Sequence, residues 1–301
     1  MLPIILTLGP IKIYTYAVAL ALALIGFFYV VWKQGREAHF EETELMDATM
    51  VVGLVAAVGA RVAYIGLVNF AYFGWRWTWW LSLISKPGVW YLGFLVAGLA
   101  ACWWQARRRR WDFLALTDVL VVAYALSQAI MAGGRWFNGS GYGIVSNTIL
   151  GMRFAGMVDK HLPVQLLELL AYLATFILLW WTEGQYRTFT WYKGTKSEAQ
   201  SGFVTAVYLI LFGLVELMFT PLKLPMAVWW GIRIDALVAG VIVLLGIWLL
   251  YRRSAWRAAR LYQGWQTQRQ IQELKPPTDG QEAGKINQPT TTRRWGKDIF
   301  D

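Results

Sequence analysis

Residues Phe113 to Gly143 read FLALTDVLVVAYALSQAIMAGGRWFNGSGYG, a long apolar run followed by a glycine-rich bend. The run over 113–134 is long enough to cross a hydrocarbon core of roughly 30 Å as one α-helix, which takes about 20 apolar residues. Arg135 and Asn138 follow the run, inside the bend. The stretch therefore predicts a membrane helix with a fixed positive charge at its C-terminal end.

The rest of the chain has the same character. Of its 301 residues, 57% are hydrophobic and only 15% are charged, which is far more apolar than an ordinary soluble domain. We predict an all-α integral membrane protein with seven transmembrane helices, since apolar runs of sufficient length recur along the sequence. The predicted helices cover about 12–33, 47–69, 88–105, 113–134, 162–182, 202–221 and 230–251.

Basic residues mark one side of this predicted bundle. They occur at Lys33 and Arg36, at Arg107 to Arg110, at Arg187, Lys193 and Lys196, and at Arg252, Arg253, Arg257 and Arg260. Because cytoplasmic loops carry an excess of Lys and Arg, the pattern predicts an N-terminus outside and a C-terminus in the cytoplasm. Residues 1–261 then form the transmembrane domain, and the polar stretch 262–301 is predicted to be a disordered cytoplasmic tail.

Composition also limits the partners. The formal net charge is +10, but the basic residues lie in short clusters between apolar runs, which indicates topology and contact with anionic lipid, not nucleic acid. Cys102 is the only cysteine, so an internal disulfide and a thiolate metal site are excluded. We expect a membrane partner and no metal or cofactor.

Ionisable residues inside membrane helices need an explanation, because an arginine at the bilayer centre costs about 2.5–3.5 kcal/mol. Arg61 follows the small residues Gly59 and Ala60, which allow a helix or ligand to approach closely. It either binds an anion or pairs with a buried carboxylate. Asp118 lies one turn into its helix, where a snorkelling or helix-start carboxylate is expected.

Arg135 and Asn138 are three residues apart in the glycine-rich bend. A guanidinium grips a phosphodiester through its planar fork, and glycines let backbone N–H groups approach the same oxygens. The bend is therefore a candidate phospholipid-headgroup site. The alternative is a structural turn with an interfacial arginine.

Two carboxylates, Glu168 and Glu216, also lie within predicted membrane helices. Glu168 shares one helical face with Gln165 at the start of its predicted helix, and Glu216 lies near the outer end of another. Either carboxylate could neutralise Arg61 or Arg135, or act as a base.

Several motifs occur in the order found in one family. They are LGPIKIYTYA at 8–17, GAR at 59–61, YLGFLVAG at 91–98, GGRWFNGSGYG at 133–143, HLPVQLLE at 161–168 and LVE at 214–216. Over about residues 8–251 the chain resembles the prolipoprotein diacylglyceryl transferases. This resemblance implies a seven-helix enzyme of the bacterial cytoplasmic membrane that transfers diacylglyceryl from phosphatidylglycerol to the lipobox cysteine of a prolipoprotein and releases glycerol phosphate.

The resemblance also implies roles for matching positions. Substrate binding through the phosphate of phosphatidylglycerol would fall to Arg135, Asn138, Arg61 and Gly143. Tyr16 would match the tyrosine of the first helix, Pro163, Gln165 and Glu168 the motif that opens a later helix, and Glu216 the acidic residue of the sixth.

Some matching positions differ from the family. Leu92 stands where the family has a helix-three histidine, Phe212 where it has a sixth-helix arginine, and Ser140 where its signature has a glutamate. His39 falls in a cytoplasmic loop, so His161 is the imidazole available as a base on the outer face. Glu168, Glu216 and Tyr16 are the other candidate catalytic groups.

Two functions remain open at this point. The first is an active diacylglyceryl transferase acting on a lipobox-bearing prolipoprotein. The second is a non-catalytic relative that binds phospholipid or assembles with a membrane complex, since three functional positions of the family differ here. A transporter or channel is a third, weaker interpretation.

Overall fold

The computed structural model describes residues 3–8, 11–82, 86, 88–154, 156–186, 200–224, 228–229 and 232–254. Its helices are α1 (Thr15–Glu37), α2 (Glu42–Ala63), α3 (Phe70–Phe73), α4 (Trp77–Leu81), α5 (Tyr91–Arg109), α6 (Phe113–Asn138), α7 (Val164–Gln185), α8 (Phe203–Phe219) and α9 (Ile234–Arg253). A π-helical turn, Tyr64–Val68, extends α2, and a 3₁₀ turn, Thr220–Leu222, extends α8.

Short antiparallel hairpins complete the fold. They pair β1 (Ile4–Leu8) with β2 (Ile11–Tyr14), β3 (Met152–Arg153) with β4 (Lys160–His161), and β5 (Val228–Trp229) with β6 (Ile232–Arg233). Because β2 takes up 11–14, the first helix begins at Thr15 instead of the predicted residue 12.

Six helical segments within the described residues are long and apolar enough to cross a membrane, so the chain is a multi-pass helical membrane protein. They are Thr15–Glu37, Glu42–Val68, Phe113–Asn138, Val164–Gln185, Phe203–Leu222 and Ile234–Arg253. The one predicted span that is missing from these six, 88–105, corresponds to α5. This 19-residue helix carries Gln105 and Arg107–Arg109 in its last turns, which shorten its apolar part.

Helix α5 nevertheless lies along α2 for most of its length. At one end the Trp90 amide donates to the Ala60 carbonyl at 3.1 Å, and at the other Arg109 pairs with Glu44 at 3.2 Å. Residues 44 and 60 are about 24 Å apart along an α-helix at 1.5 Å per residue. The two helices therefore run antiparallel through the same layer.

Small residues make close helix crossings possible. A Cβ on Gly93 would lie 2.4 Å from the Gly59 carbonyl oxygen, and one on Gly213 would lie 2.8 Å from the Ala239 oxygen. These positions bring α5 against α2 and α8 against α9. Helix α6 packs against α1, α7 and α8, and its Val122, Ala123 and Ala125 are completely buried.

The termini of the long helices lie at two opposite ends of the bundle. We call the end with the α1–α2 connection and Arg107–Arg110 the basic end, and the end with the 139–163 segment the cavity end. At the basic end, Arg36 pairs with Glu42 at 3.1 Å. The predicted basic residues from 187 to 196, those at 257 and 260, and the predicted tail lie outside the described residues.

Asp118 has a structural role at the basic end. Its carboxylate accepts hydrogen bonds from the amides of Gly202 and Thr205, at 2.6 and 2.7 Å, and from the Thr205 hydroxyl at 2.5 Å. The side chain thus caps the first turn of α8 from the neighbouring helix α6. The snorkelling prediction is wrong, since Asp118 is only 8% exposed, and it is α8, not its own helix, that the carboxylate caps.

Candidate active site

A cavity of about 880 Å³ opens between the helices at the cavity end. Its walls come from the starts of α1, α5, α7 and α9 and from the ends of α2, α6 and α8. Because neighbouring helices run in opposite directions, their starts and ends alternate around the opening. The cavity therefore collects the polar residues that flank several apolar runs.

One wall is a continuous network of charges, which we call the paired wall. Arg135 Nη2 contacts Glu168 Oε2 at 2.5 Å, and Lys223 Nζ contacts Glu168 Oε1 at 2.5 Å. The same ammonium contacts Glu216 Oε2 at 2.9 Å, and the Tyr172 hydroxyl donates to Glu216 Oε1. Two cations and two carboxylates thus neutralise one another around the cavity.

Local geometry explains how these side chains meet. Helix α6 ends at Gly139, which adopts a left-handed conformation with φ 75°, so Arg135 lies in its last turn. Helix α8 continues into the Thr220–Leu222 turn, where the Thr220 hydroxyl donates to the Glu216 carbonyl at 2.6 Å. Glu216 and Lys223 are seven residues apart, or about two helical turns, and therefore share one face.

The ammonium of Lys223 is stabilised in its charged form. Burial opposes the charge, but Glu216 and Glu168 outweigh burial and raise the pKa of Lys223 above its ordinary value. Removing one partner from such a buried set leaves an uncompensated charge, which is strongly destabilising. The paired wall is therefore electrostatically interdependent.

A second wall, formed by Trp90, Tyr91, Arg233 and Asp235, is less well satisfied, and we call it the unpaired wall. The Tyr91 hydroxyl faces the Asp235 carboxylate without a well-formed hydrogen bond between them. Within the described residues, Trp90 Nε1 and Arg233 Nε also have no hydrogen-bond partner. Such buried polar atoms are costly unless a ligand or water satisfies them.

Aromatic rings line the deeper part of the cavity. Phe94 stacks on Tyr124 with ring centroids 5.5 Å apart, and Tyr172 stacks on Phe212 at 6.3 Å. Charge at the mouth and rings below make the cavity amphiphilic, so it matches a molecule with an anionic head and an apolar body.

The structure brings four of the predicted site residues to this cavity. Arg135, Glu168, Glu216 and Tyr16 all line it, and Tyr16 is 39% exposed. Arg61, Asn138, Gly143 and His161 are not among the lining residues that the structure describes. Ser140, one of the positions that differ from the family, does line the cavity.

Arg61 uses its guanidinium to hold backbone. It donates to the carbonyls of Trp80, Gly88 and Trp79 at 3.0, 2.7 and 3.2 Å, with a longer contact of 3.4 Å to Ser82. Arg61 is 7% exposed. These contacts tie α4 and the loop that follows it to the end of α2, while phosphate binding by Arg61 stays a prediction.

Asn138 and Gly143 shape the bend beside the cavity. The Asn138 amide donates to the Ser140 hydroxyl at 3.3 Å, and the Gln165 amide donates to the Ser140 carbonyl at 3.0 Å. A Cβ at Gly143 would lie 2.5 Å from the Leu222 carbonyl oxygen. Only glycine therefore allows the bend to pack this closely against the chain that leads to Lys223.

His161 is buried behind the bend, where it packs edge-on against Tyr142 with ring centroids 4.8 Å apart. Its Nδ1 lies 2.9 Å from the Gly143 carbonyl oxygen. Since a carbonyl only accepts hydrogen bonds, Nδ1 carries the proton in this contact. A neutral His161 would then offer Nε2 as its basic nitrogen.

Sequence reasoning did not select Lys223, Arg233 or Asp235, although all three line the cavity. Lys223 lies just after an apolar run, where a charged residue is ordinary for a membrane protein, whereas Arg233 and Asp235 lie near the start of the predicted span 230–251. The signal for Arg233 and Asp235 was their charge inside a predicted span. The signal for Lys223 was its seven-residue spacing from Glu216, which places both on one helical face if the helix continues past the apolar run.

Comparison with known proteins adds a family match. A family model described as prolipoprotein diacylglyceryl transferase matches residues 3–252, which cover the whole described bundle except its last two residues.

Curated relatives carry one shared name, phosphatidylglycerol–prolipoprotein diacylglyceryl transferase. The protein of Streptococcus suis strain 05ZYH33 is 24% identical over 283 residues, which cover 87% of this chain and 96% of that protein. The protein of Finegoldia magna is 25% identical, with 79% and 90% covered. The protein of Legionella pneumophila is 25% identical, with 83% and 96% covered.

Proposed function

Since the chain belongs to the prolipoprotein diacylglyceryl transferase family, we propose that it transfers the diacylglyceryl group of phosphatidylglycerol to the lipobox cysteine of prolipoproteins. The names of its relatives support this enzyme activity. The activity would reside in residues 1–261, in the bacterial cytoplasmic membrane.

The amphiphilic cavity is the observation that carries the proposal. A phosphatidylglycerol molecule has an anionic phosphate between a polar glycerol head and two acyl chains. The cavity has cations at its mouth and stacked rings below. A phosphate near Arg135 and acyl-chain atoms beside the rings would satisfy both parts of the lipid at once.

Arg135 is the proposed phosphate ligand. Its side chain is 34% exposed, and within the described residues Glu168 is its one hydrogen-bond partner. A guanidinium has five N–H donors, so most remain available to phosphate oxygens. In this proposal Asn138 and Gly143 act by shaping the bend that carries Ser140 and Tyr142 into the cavity wall.

The reaction itself forms one bond and breaks one. The cysteine sulfur attacks the glyceryl carbon, a carbon–sulfur bond forms, and the carbon–oxygen bond to phosphate breaks as glycerol phosphate leaves with the electron pair. The thiol proton passes to a base, for which Glu168, Glu216, Tyr16 and His161 remain the candidates. Cationic groups at the phosphate stabilise the charge that develops on the leaving group.

We further propose seven membrane spans with the N-terminus outside, in which α5 crosses the membrane in addition to the six spans described above. Its antiparallel course along α2, from Trp90 beside Ala60 to Arg109 beside Glu44, supports a full crossing. With seven spans, the basic end faces the cytoplasm, as the excess of arginine there favours.

A transfer assay tests the function. The purified protein, supplied with phosphatidylglycerol, should add one diacylglyceryl mass to a lipobox peptide and none to the same peptide with its cysteine replaced by serine. The gene should also restore growth to a bacterium depleted of its own transferase. Well-folded protein that binds phosphatidylglycerol but gives neither result would contradict the enzyme and favour the non-catalytic alternative.

Cysteine labelling tests the topology. In a Cys102→Ala background, a maleimide that cannot cross membranes should label Ile149→Cys in intact cells and Glu41→Cys only after permeabilisation. Ile149 is fully exposed and Glu41 lies at the basic end. If both cysteines require permeabilisation, α5 does not cross and the count is six.

A further inference from the structure

Lys223 is the least expected group in the cavity. Its ammonium lies between the carboxylates of Glu168 and Glu216, at 2.5 and 2.9 Å, and it lines the same space as Arg135. An ammonium has three donors. Two are used in these contacts, and the third has no acceptor among the described residues.

The position of Glu168 relates the two cations to each other. One carboxylate oxygen contacts Arg135 and the other contacts Lys223. Two cations that bracket one carboxylate are also spaced to bracket another small anion with two oxygens, such as a phosphate. The shared carboxylate is buried, whereas both cations keep part of their surface open to the cavity.

We propose that Lys223 is a second phosphate-binding residue, which together with Arg135 holds the phosphate of the lipid donor and of the departing glycerol phosphate. This inference rests on the proposed function and adds a residue that the sequence comparison did not identify. Phe212 lines the same cavity one turn before Glu216 and stacks on Tyr172 and Tyr208, so the chain leading from α8 contributes its positive charge to the cavity through Lys223.

In the transfer step Lys223 gives up no proton. As the carbon–oxygen bond breaks, negative charge grows on the phosphate, and the ammonium donates a hydrogen bond to that oxygen. Glu168 and Glu216 keep the ammonium charged and aimed at the cavity. The two carboxylates thus act as positioning residues for Lys223.

The test compares Lys223→Met and Lys223→Arg with Lys86→Met, a matched control. Lys86 lies in the loop before α5, donates to the Tyr72 hydroxyl at 3.0 Å, and does not line the cavity. The measurements are the transfer rate, inhibition by glycerol phosphate and the thermal unfolding of the purified protein.

Lys223→Met should lower the rate at least about 100-fold and weaken inhibition at least about 10-fold, the loss expected for one donor to a developing charge. Lys223→Arg should keep most of both, and Lys86→Met should match the wild type.

A second pair of variants, of which the double variant is charge-balanced, covers the case in which Lys223→Met fails to fold. Glu216→Gln and Glu216→Gln/Lys223→Met differ only in the lysine, and their affinities for glycerol phosphate can be compared by calorimetry without any turnover. A loss of at least about 10-fold in the double variant supports phosphate binding by Lys223. Equal affinities overturn the inference and leave Lys223 as a counter-ion for the glutamates. Failure of the proposed function would instead appear as absence of transfer by the wild type.

Discussion

Arg61 and Arg135, two arginines at the cavity end, lie in similar sequence contexts and in different structural ones. Arg61 lies in the last turn of α2 and donates to backbone carbonyls of α4 and of the loop that leads to α5. Arg135 ends α6, contacts one carboxylate and lines the cavity. We infer from this difference that the number of unused hydrogen-bond donors on a membrane arginine, more than its position relative to the apolar run, indicates whether it can bind a ligand.

Replacing Arg135 should have the largest effect on activity. We expect Arg135→Met to lower the transfer rate by about 10²–10³-fold, as for the loss of one donor that stabilises developing charge. The unfolding temperature should also fall, because Glu168 loses one of its two cations, but the fold should survive, since Gly139 still ends α6 and Lys223 still partners Glu168. The transfer assay and thermal unfolding measure the two effects separately.

Arg135→Lys sharpens this result. It keeps the charge and loses the planar fork, so its rate should lie between those of Arg135→Met and the wild type. A rate equal to the wild type in Arg135→Met would show that this arginine does not serve the reaction.

Replacing Arg61 should mainly affect stability. Arg61→Met leaves buried carbonyls without donors, and each unsatisfied group costs about 1–3 kcal/mol. We expect the unfolding temperature to fall by several degrees, while the transfer rate per folded molecule stays within a few-fold of the wild type. The reverse pattern, an unchanged unfolding temperature with lost transfer, would place Arg61 on the substrate as the sequence predicted.

Replacing His161 should have the smallest effect. His161→Phe keeps the ring contact with Tyr142 and removes the hydrogen bond to the Gly143 carbonyl, which contributes about 1 kcal/mol. We expect a small loss of stability and nearly normal transfer, since His161 does not line the cavity. Complete loss of transfer in stable protein would instead identify His161 as the base.

The membrane helices could be predicted because a bilayer imposes a length and a polarity that composition reveals directly. Arg135, Glu168 and Glu216 could be predicted for the same reason, as charges within or beside apolar runs. Helix α5 was harder, since its arginines dilute the apolar signal while its packing against α2 is not encoded locally.

Contacts between distant segments could not be predicted. Asp118 caps a helix that begins more than eighty residues later, and its own neighbours give no sign of that partner. Arg61 had two open roles, ligand or pairing, and neither anticipated backbone carbonyls. Lys223 lies just beyond an apolar run, where lysine is common, so only the folded arrangement reveals that two glutamates hold it.

The double contact of Glu168 has a consequence for turnover. In the proposed mechanism the Glu168 carboxylate contacts the two cations that an incoming phosphate would use, so carboxylate and phosphate would compete for them. A small free anion must displace the carboxylate with little else to gain, whereas a lipid also contributes the burial of its apolar body. After transfer the acyl chains stay with the cysteine, so the glycerol phosphate product has no apolar body to bury. Glu168 can then return to both cations and displace the product. The cavity would thus be able to reset itself between cycles without a separate conformational gate.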